Sequence, residues 1–189
     1  MDMADKRIIL ASGSPRRKEL LSFIVDEFEV NPSNLEETAH GTPKQQTLQL
    51  AKDKALDIAK SYPEAVVIGA DTLVAVGGRI LGKPKDNAEA ASMLGMLSGR
   101  THKVYTGIAI VCGGKALTDC VVTEVTFDIM TSDEIKTYID TGEPMDKAGA
   151  YGIQGYCGKF IRGIQGCYFN VMGLPQNTVY GMLKKLDVI

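Results

Sequence analysis

Short apolar segments alternate with segments of helical pattern in both halves of this 189-residue chain. Residues 8–10 are an apolar run that ends in the small-residue loop 11–13, and Ser14 can then cap a helix whose first residue is Pro15. A strand that leads directly into a helix is typical of α/β proteins. The alternation therefore predicts an α/β fold in which helices flank a sheet.

Double glycines separate two pairs of predicted strands, which indicates antiparallel hairpins. One double glycine, at 77–78, separates residues 73–76 from residues 79–81, and a second, at 113–114, separates two longer strands. The hairpins exclude a purely parallel sheet, so we expect a mixed one. Because no internal repeat or low-complexity linker divides the chain, we expect residues 1–189 to form a single domain.

Composition and charge argue against several classes of protein. The formal net charge is −2, so the chain has no overall attraction to nucleic acid or to an anionic membrane. It has no run of about 18 apolar residues, and its first residues are polar, so we expect a cytoplasmic protein with neither a membrane span nor a signal peptide. The four cysteines form no C-x-x-C pair and the two histidines stand apart from them, which favours reduced cysteines over a zinc site.

Arg16 and Arg17 lie in the opening turn of the helix that Ser14 caps. The amino end of a helix already carries about half a positive charge, so two more cations there are unfavourable unless an anion binds. Backbone N–H groups and guanidinium groups both suit phosphate oxygens. The alternative interpretation is a pair of solvated arginines partly balanced by Glu19.

Lys54 stands on or beside the apolar face of a second predicted helix. Residues 42–45 match a capping box that begins this helix, and we expect the helix to end near residue 61. Leu50 and Ile58 lie four residues to either side of Lys54, so the helical period places them on the same face. The ammonium group of Lys54 either snorkels to the rim of the core or reaches into a pocket.

Several other charged side chains lie in or beside predicted loops. Asp71 follows an apolar strand at 66–69 and is expected near the end of that strand, where α/β enzymes often present a carboxylate to a ligand. Glu36 and Glu37 are adjacent carboxylates that could share a divalent cation. Lys83 belongs to a rigid cationic loop. Each is also compatible with an ordinary surface or turn residue, so the pattern alone leaves both interpretations open.

Residues 142–155 combine small and polar residues, which permits close approach of the backbone to a ligand. Gln154 offers two amide donors and an acceptor, which suits the mixed edge of a uracil or thymine ring. Together with the cations and carboxylates named above, the chain holds the side chains that phosphate hydrolysis requires. It has no P-loop, dinucleotide-binding or nucleophile-elbow motif, which argues against those mechanisms.

A series of ordered motifs resembles the Maf family and covers nearly the whole chain. They are ASGSPRR at 11–17, LEE at 35–37, LAKDKA at 50–55, GADT at 69–72, GKP at 82–84, SGRTHKV at 98–104, the 142–155 stretch and VMGLP at 171–175. The resemblance implies an elongated α/β fold with a mixed sheet and flanking helices, of the Maf/Ham1-like type shared with inosine triphosphate pyrophosphatases. It also implies two lobes around a central cleft.

The same resemblance implies an enzyme that splits the α–β phosphoanhydride of nucleoside triphosphates and depends on a metal. Asp71 would be the general base, and Glu37 with Asp71 would bind Mg²⁺ or Mn²⁺. The residues that it implies for phosphate binding are Ser14, Arg17, Lys54 and Lys83. Arg16, Thr72 and Gln154 match the branch of the family that acts on dTTP and UTP, so pyrimidine triphosphates, modified ones among them, are the expected substrates.

A house-cleaning role in the nucleotide pool and a homodimer are further implications of the resemblance. Two departures from the family pattern leave the shape of nearby loops open. Residues 22–27 lack an expected glycine, and Gln49 stands where a basic residue is frequent.

Two alternative functions remain open at this point. The first is a regulatory or nucleic-acid-binding protein linked to septum formation, because the family name derives from effects on the septum and a phosphate-binding groove can hold a nucleic-acid backbone. The net charge of −2 argues against it. The second is a pyrophosphatase directed at purine nucleotides.

Overall fold

The computed structural model describes residues 6–189 and, within them, seven strands and six α-helices. The strands are β1 (Ile8–Leu10), β2 (Glu29–Val30), β3 (Val66–Val76), β4 (Arg79–Leu81), β5 (Thr101–Cys112), β6 (Lys115–Phe127) and β7 (Ile161–Gln165). The helices are α1 (Pro15–Ser22), α2 (Pro43–Ala59), α3 (Asn87–Leu97), α4 (Ser132–Asp140), α5 (Tyr168–Met172) and α6 (Gln176–Lys185). Short 3-10 turns follow α4, at Glu143–Asp146, Ala148–Ala150 and Tyr156–Phe160. No helix in this described part of the chain has the length and apolar content needed to cross a bilayer.

The strands form one mixed sheet in the order β2-β1-β3-β5-β6-β7, with β4 paired to β3. Strand β1 runs parallel to both β2 and β3, so that Leu10 lies opposite Val30 on one side and Ile68 on the other. Strand β4 is antiparallel to β3, and β7 is antiparallel to β6. The predicted α/β class, with a mixed sheet and flanking helices, is confirmed.

The described residues divide into two compact units. The first comprises the described residues up to Asp71 together with Thr106–Val121 and Gly173–Ile189, and the second comprises Thr72–Tyr105 and Val122–Met172. Each unit has its own apolar core, rich in alanine and valine in the first and in leucine, methionine and aromatic residues in the second. The expected central cleft between two lobes stays a prediction.

Four helices begin where capping signatures in the sequence predict them, at residues 14–17, 42–45, 86–89 and 131–134, because a side chain caps each amino end. Ser14, Thr42, Asp86 and Thr131 each accept a hydrogen bond from the backbone N–H three residues further along. At Thr42 and Thr131 the side chain of that third residue also bonds back to the cap, which completes a capping box. Local polar side chains therefore set these helix starts.

The prediction that Asp71 lies near the end of a strand is wrong. The sequence suggests separate strands at 66–69 and 73–76, whereas β3 is one strand that passes through Asp71. Strand β3 changes a pairing partner along its length. Strand β1 pairs with its first part, up to Ile68, and β4 pairs with its last part, from Val74 onwards. The polar residues between these two positions interrupt the apolar pattern without interrupting the extended backbone.

The sequence pattern does not predict β7 or α5. Strand β7 has the sequence IRGIQ, and most of its side chains are exposed, so it lacks the alternating apolar pattern of a half-buried strand. Helix α5 has five residues, which is too few for a helical period to be recognised.

Candidate active site

Two glycines allow helix α2 to lie directly against strands β3 and β5. A Cβ atom on Gly69 would overlap the carbonyl oxygen of Ala51, and a Cβ atom on Gly107 would overlap that of Thr47. Glycine in a strand often marks such a close approach of another backbone. The contact fixes the position of α2 on the sheet, and with it the side chain of Lys54.

Lys54, Asp71 and Glu37 meet beside this contact, and we call these three residues the charged cluster. The Lys54 Nζ atom lies 2.7 Å from Asp71 Oδ1 and 2.8 Å from Glu37 Oε1. The side chain of Lys54 is 14% exposed and that of Asp71 is 8% exposed, whereas that of Glu37 is 57% exposed. Lys54 therefore reaches into a site, where it joins one buried carboxylate to one that faces solvent.

The second carboxylate oxygen of Asp71, Oδ2, is buried and accepts no hydrogen bond from residues 6–189. Buried polar atoms without a partner are costly and therefore rare. A carboxylate oxygen in this position can accept a proton from water or bind a cation. One carboxylate oxygen of Asp71 therefore pairs with Lys54, and the other is positioned to accept a proton or bind a cation.

The charged cluster fits a divalent cation that is shared with a phosphate substrate. Mg²⁺ is usually bound in such sites by one or two carboxylates together with substrate phosphate oxygens, and Asp71 and Glu37 supply that number. Over the described range, no three or more His, Cys, Asp or Glu side chains are grouped to hold a metal. Asp71 and Glu37 are thus two carboxylates that could hold a cation together with oxygen ligands from a bound phosphate.

Arg17 is held beside the loop between β1 and α1. Its Nε atom donates a 2.9 Å hydrogen bond to the Gly173 carbonyl oxygen, and its Nη1 atom donates a 3.1 Å hydrogen bond to Ser12 Oγ. Burial lowers the pKa of Arg17, whereas the negative charges of Asp71 and Glu37 raise it. Because a guanidinium group remains protonated in proteins, Arg17 adds a fixed positive charge that acts on these carboxylates.

The structure divides the sequence-predicted residues between the two units. Those in the first unit are Ser14, Arg16, Arg17, Glu37, Lys54 and Asp71. Those in the second unit are Thr72, Lys83 and Gln154. Ser14 caps α1, Thr72 is the residue after Asp71 in β3, and Lys83 and Gln154 are exposed. Lys54 brings Asp71 and Glu37 together in the charged cluster.

In the second unit, the 142–155 loop is joined to the cationic loop 82–85. The backbone N–H of Gly149 donates a 2.9 Å hydrogen bond to the Gly82 carbonyl oxygen. Gly149 has a φ of +71°, and a Cβ atom there would lie 2.9 Å from Val74 Cγ2. Glycine is required by both the left-handed backbone and the close packing. The loop that carries the glutamine and the loop that carries the cation are therefore held together.

Sequence reasoning missed Ser12, Gly173 and Glu143. Ser12 and Gly173 bind the Arg17 side chain, and both lie in stretches that carry the family resemblance, which was the available signal. Glu143 accepts hydrogen bonds within the second unit from a tyrosine hydroxyl and from a backbone N–H. Glu143 lies in the 142–155 stretch, which also carries the resemblance, but no sequence pattern indicates which groups its side chain binds.

The fold is shared with a solved structure. The Staphylococcus aureus Ham1 protein aligns with a TM-score of 0.53 over 96% of this chain and 100% of that protein, at 15% sequence identity. At this identity the likeness concerns the fold alone, and it confirms the expected Maf/Ham1-like architecture.

Residues 7–186 match the family described as Maf-like protein, and the chain belongs to that family. It is 48% identical over 188 residues to the dTTP/UTP pyrophosphatase of Clostridium perfringens, which covers 96% of this chain and 98% of the relative. It is 51% identical over 184 residues to the dTTP/UTP pyrophosphatase of Bacillus cytotoxicus, which covers 96% of each chain. The resemblance found in the motifs is therefore confirmed.

Proposed function

We propose that this chain hydrolyses dTTP and UTP, together with modified pyrimidine triphosphates, to nucleoside monophosphate and pyrophosphate with the aid of Mg²⁺ or Mn²⁺. The chain is a nucleoside triphosphate pyrophosphatase, the activity for which its curated relatives are named. The observation that carries the proposal is the charged cluster. There Lys54 pairs with one oxygen of Asp71, while the other is buried without a donor among the described residues.

Asp71 is proposed as the general base. Its Oδ2 atom accepts a proton from a water molecule as the water oxygen attacks the α-phosphorus. A new P–O bond forms, the bond between the α-phosphorus and the bridging oxygen breaks, and pyrophosphate leaves with the bonding electrons. Lys54 holds the other oxygen of Asp71 at 2.7 Å and so orients the carboxylate.

Positive charge is proposed to stabilise the phosphates as the reaction proceeds. Arg17, Lys54 and Lys83 supply cations, and the amino end of α1, which Ser14 caps, supplies backbone N–H groups. The hydrogen bonds of Arg17 to Ser12 and to a backbone carbonyl orient its guanidinium before substrate binds, which lowers the cost of ordering it.

Glu37 and Asp71 are the residues proposed to hold the divalent cation. When bound, the cation neutralises charge on the polyphosphate. Glu37 suits a site that receives a metal with its substrate, because its side chain is 57% exposed while its Oε1 atom is held 2.8 Å from Lys54 Nζ.

Gln154, Thr72 and Arg16 are proposed to select the base. Uracil and thymine present a ring N–H donor beside a carbonyl acceptor, and a primary amide matches both. The Gln154 side chain is exposed, so its amide is accessible to a ligand. Arg16 lies in the opening turn of α1 and Thr72 follows Asp71 directly in β3.

We propose that the enzyme acts in the cytoplasm as a homodimer and cleans the nucleotide pool. These three statements rest on the family resemblance. A stable nucleic-acid partner is not part of the proposal, because the net charge of −2 provides no general attraction to a polyanion.

Pyrophosphate release from dTTP, UTP, CTP, GTP and inosine triphosphate, with Mg²⁺, Mn²⁺ or a chelator, tests this function. We expect the highest kcat/KM for dTTP and UTP, and no turnover with the chelator. The Asp71→Asn variant should lose about a thousandfold in kcat, because an amide cannot take the proton, while UTP still binds. Asp140→Asn is the matched control, since this exposed aspartate on α4 pairs with Lys136 and lies outside the site.

Each other outcome has a definite meaning. Full activity of Asp71→Asn would remove Asp71 from the mechanism. A higher kcat/KM for GTP or inosine triphosphate would favour the purine-directed pyrophosphatase. No turnover with either metal, combined with tight nucleic-acid binding in a gel shift at moderate salt, would favour the regulatory alternative.

A further inference from the structure

The carboxylate of Glu143 is linked by hydrogen bonds, one direct and one through a tyrosine hydroxyl, to the backbone on both sides of Gln154. Its Oε2 atom accepts a 3.2 Å hydrogen bond from the backbone N–H of Tyr156. Its Oε1 atom accepts a 3.0 Å hydrogen bond from the hydroxyl of Tyr138, which in turn accepts a 3.2 Å hydrogen bond from the backbone N–H of Gly152. Glu143 therefore connects, directly or through one hydroxyl, to residues two positions before and two positions after Gln154.

The Tyr138 hydroxyl in this network stays protonated and donates its hydrogen bond to Glu143. Tyr138 is fully buried, and burial raises the pKa of its hydroxyl above the ordinary value. The Tyr138 ring also stacks on the ring of Tyr156, with centroids 5.8 Å apart and planes 6° from parallel. The link from Glu143 to the segment around Gln154 is thus held by a stacked aromatic pair, with Tyr138 on α4 and Tyr156 at the start of the 3-10 turn Tyr156–Phe160.

The backbone around Gln154 is packed against the same residues. Gly155 has a φ of +83°, and a Cβ atom there would lie 2.8 Å from Glu143 Oε2. A Cβ atom on Gly152 would lie 2.9 Å from Lys147 Cε, and Lys147 Nζ donates a 2.6 Å hydrogen bond to the Glu143 carbonyl oxygen. The two glycines let the backbone approach Glu143 and Lys147 closely, so the segment has little freedom to shift.

We propose that Glu143 is a positioning residue for base selection, whose carboxylate sets the orientation in which Gln154 presents its amide to the pyrimidine. This inference rests on the proposed function. Glu143 belongs to the second unit, whereas the proposed base Asp71 is bound by Lys54 in the first. Loss of the Glu143 carboxylate should therefore change which base is accepted more than it changes the chemical step.

The Glu143→Gln variant tests this with little change in side-chain size. Its amide oxygen can still accept from the Tyr156 N–H, but its NH₂ group then faces the Tyr138 hydroxyl, which loses the acceptor of its proton. We expect the ratio of kcat/KM for UTP to that for CTP to fall about tenfold, through a higher KM for UTP, with kcat changed less than about twofold. Tyr138→Phe keeps the ring stack and the contact to Tyr156, and should shift the ratio in the same direction by less.

Hydrogen exchange gives a readout that does not depend on turnover. The amides of Gly152 and Tyr156 should exchange faster in Glu143→Gln than in the wild type, whereas the control Asp140→Asn should change neither exchange nor selectivity. Unchanged exchange at both amides, or an equal loss of kcat/KM for UTP and CTP, would overturn the inference. Failure of the proposed function is a different result, because the wild type itself would then release no pyrophosphate from UTP, and the inference would fall with it.

Discussion

The charged cluster and the 142–155 loop hold their functional side chains by different means. In the charged cluster, one ammonium group lies within 2.8 Å of two carboxylates, and the close packing of α2 on the sheet sets the geometry. In the loop, backbone N–H groups bind a tyrosine hydroxyl and a neighbouring carbonyl, and the N–H of Tyr156, just after the loop, binds the Glu143 carboxylate. The first arrangement concentrates charge and the second fixes the path of the backbone.

The difference extends to the core beneath the loop. His102, Phe127 and Tyr151 pack edge to face, and His102 Nε2 lies 2.8 Å from the Tyr151 hydroxyl. Burial lowers the pKa of His102 to about 4 and raises that of Tyr151, so both are neutral near pH 7. The buried core beneath the loop is thus made of neutral groups, with Glu143 as the carboxylate that binds the adjoining backbone, whereas the charged cluster joins one ammonium group to two carboxylates. The contrast supports the proposed division of roles, in which the first unit binds phosphates and the second selects the base.

Replacement of Lys54 by Met should have the largest effect on the charged cluster. Lys54→Met leaves the buried Asp71 without its cation, which we expect to lower the free energy of unfolding by about 3 kcal/mol. It also removes a charge that is proposed to bind phosphate, so kcat/KM should fall about a hundredfold or more, since the loss of one preorganised donor costs about a hundredfold to a thousandfold in rate. Urea denaturation and pyrophosphate release measure the two effects.

The double variant Lys54→Met, Asp71→Asn separates these effects. It removes both members of the ion pair, so most of the lost stability should return while activity stays absent. If stability does not return, the ion pair is not the reason for the loss in Lys54→Met. If activity returns with it, neither side chain takes part in the chemistry.

A methyl group at Gly69 should disturb the cluster through packing alone. Gly69→Ala places a Cβ atom into the Ala51 carbonyl oxygen and 3.0 Å from Ala55 Cβ, so α2 must move away from β3. We expect a loss of about 3 kcal/mol in unfolding free energy and lower activity, since Lys54 moves with α2. The control Gly95→Ala, on α3, meets no atom within 4 Å and should stabilise the protein by about 0.5–1 kcal/mol. Equal stability of the two variants would mean that α2 can shift freely on the sheet.

Local sequence signals predict several of the helix starts. The caps at Thr42 and Thr131 could be recognised because the polar side chain and the residue three positions later act within one helical turn. Strand β7 could not, because its pairing with β6 arises from partners distant in sequence while its own side chains are mostly exposed. The prediction for Asp71 is wrong for a related reason. A polar residue inside a strand resembles a strand end in the sequence unless the partner strands are known.

The sequence predicted the residue types of the candidate site better than their contacts. Motifs singled out Lys54, Glu37 and Asp71, but the helical period left the direction of Lys54 open. The direction depends on Gly69 and Gly107, which bring α2 against the sheet, and no local pattern links a glycine in a strand to a lysine on a helix. Contacts of this kind are set by tertiary packing.

Acid should destabilise the second unit through its buried histidine, His102. The pKa of His102 is 6.5 in an ordinary setting and about 4 in the fold, so the unfolded chain takes up a proton first as the pH falls. Stability is therefore full above about pH 6.5 and decreases as the pH falls towards 4, by about 3 kcal/mol from this group. His102→Phe should flatten the decrease, and His40→Gln, at an exposed histidine, is the control. An unchanged slope in His102→Phe would mean that other groups cause the acid sensitivity.

Truncation of Gln154 should give the smallest effect and the most selective one. Gln154→Ala removes the amide and leaves the charged cluster unaltered, so the preference for UTP over CTP should fall about tenfold while inhibition by inorganic pyrophosphate, which has no base, stays the same. Gln165→Ala, at an exposed glutamine of β7, is the matched control. An unchanged preference would shift base selection towards Thr72 or Arg16. A loss of kcat shared by all triphosphates would mean that the loop serves the phosphate chemistry too, and the division between the two regions would not hold.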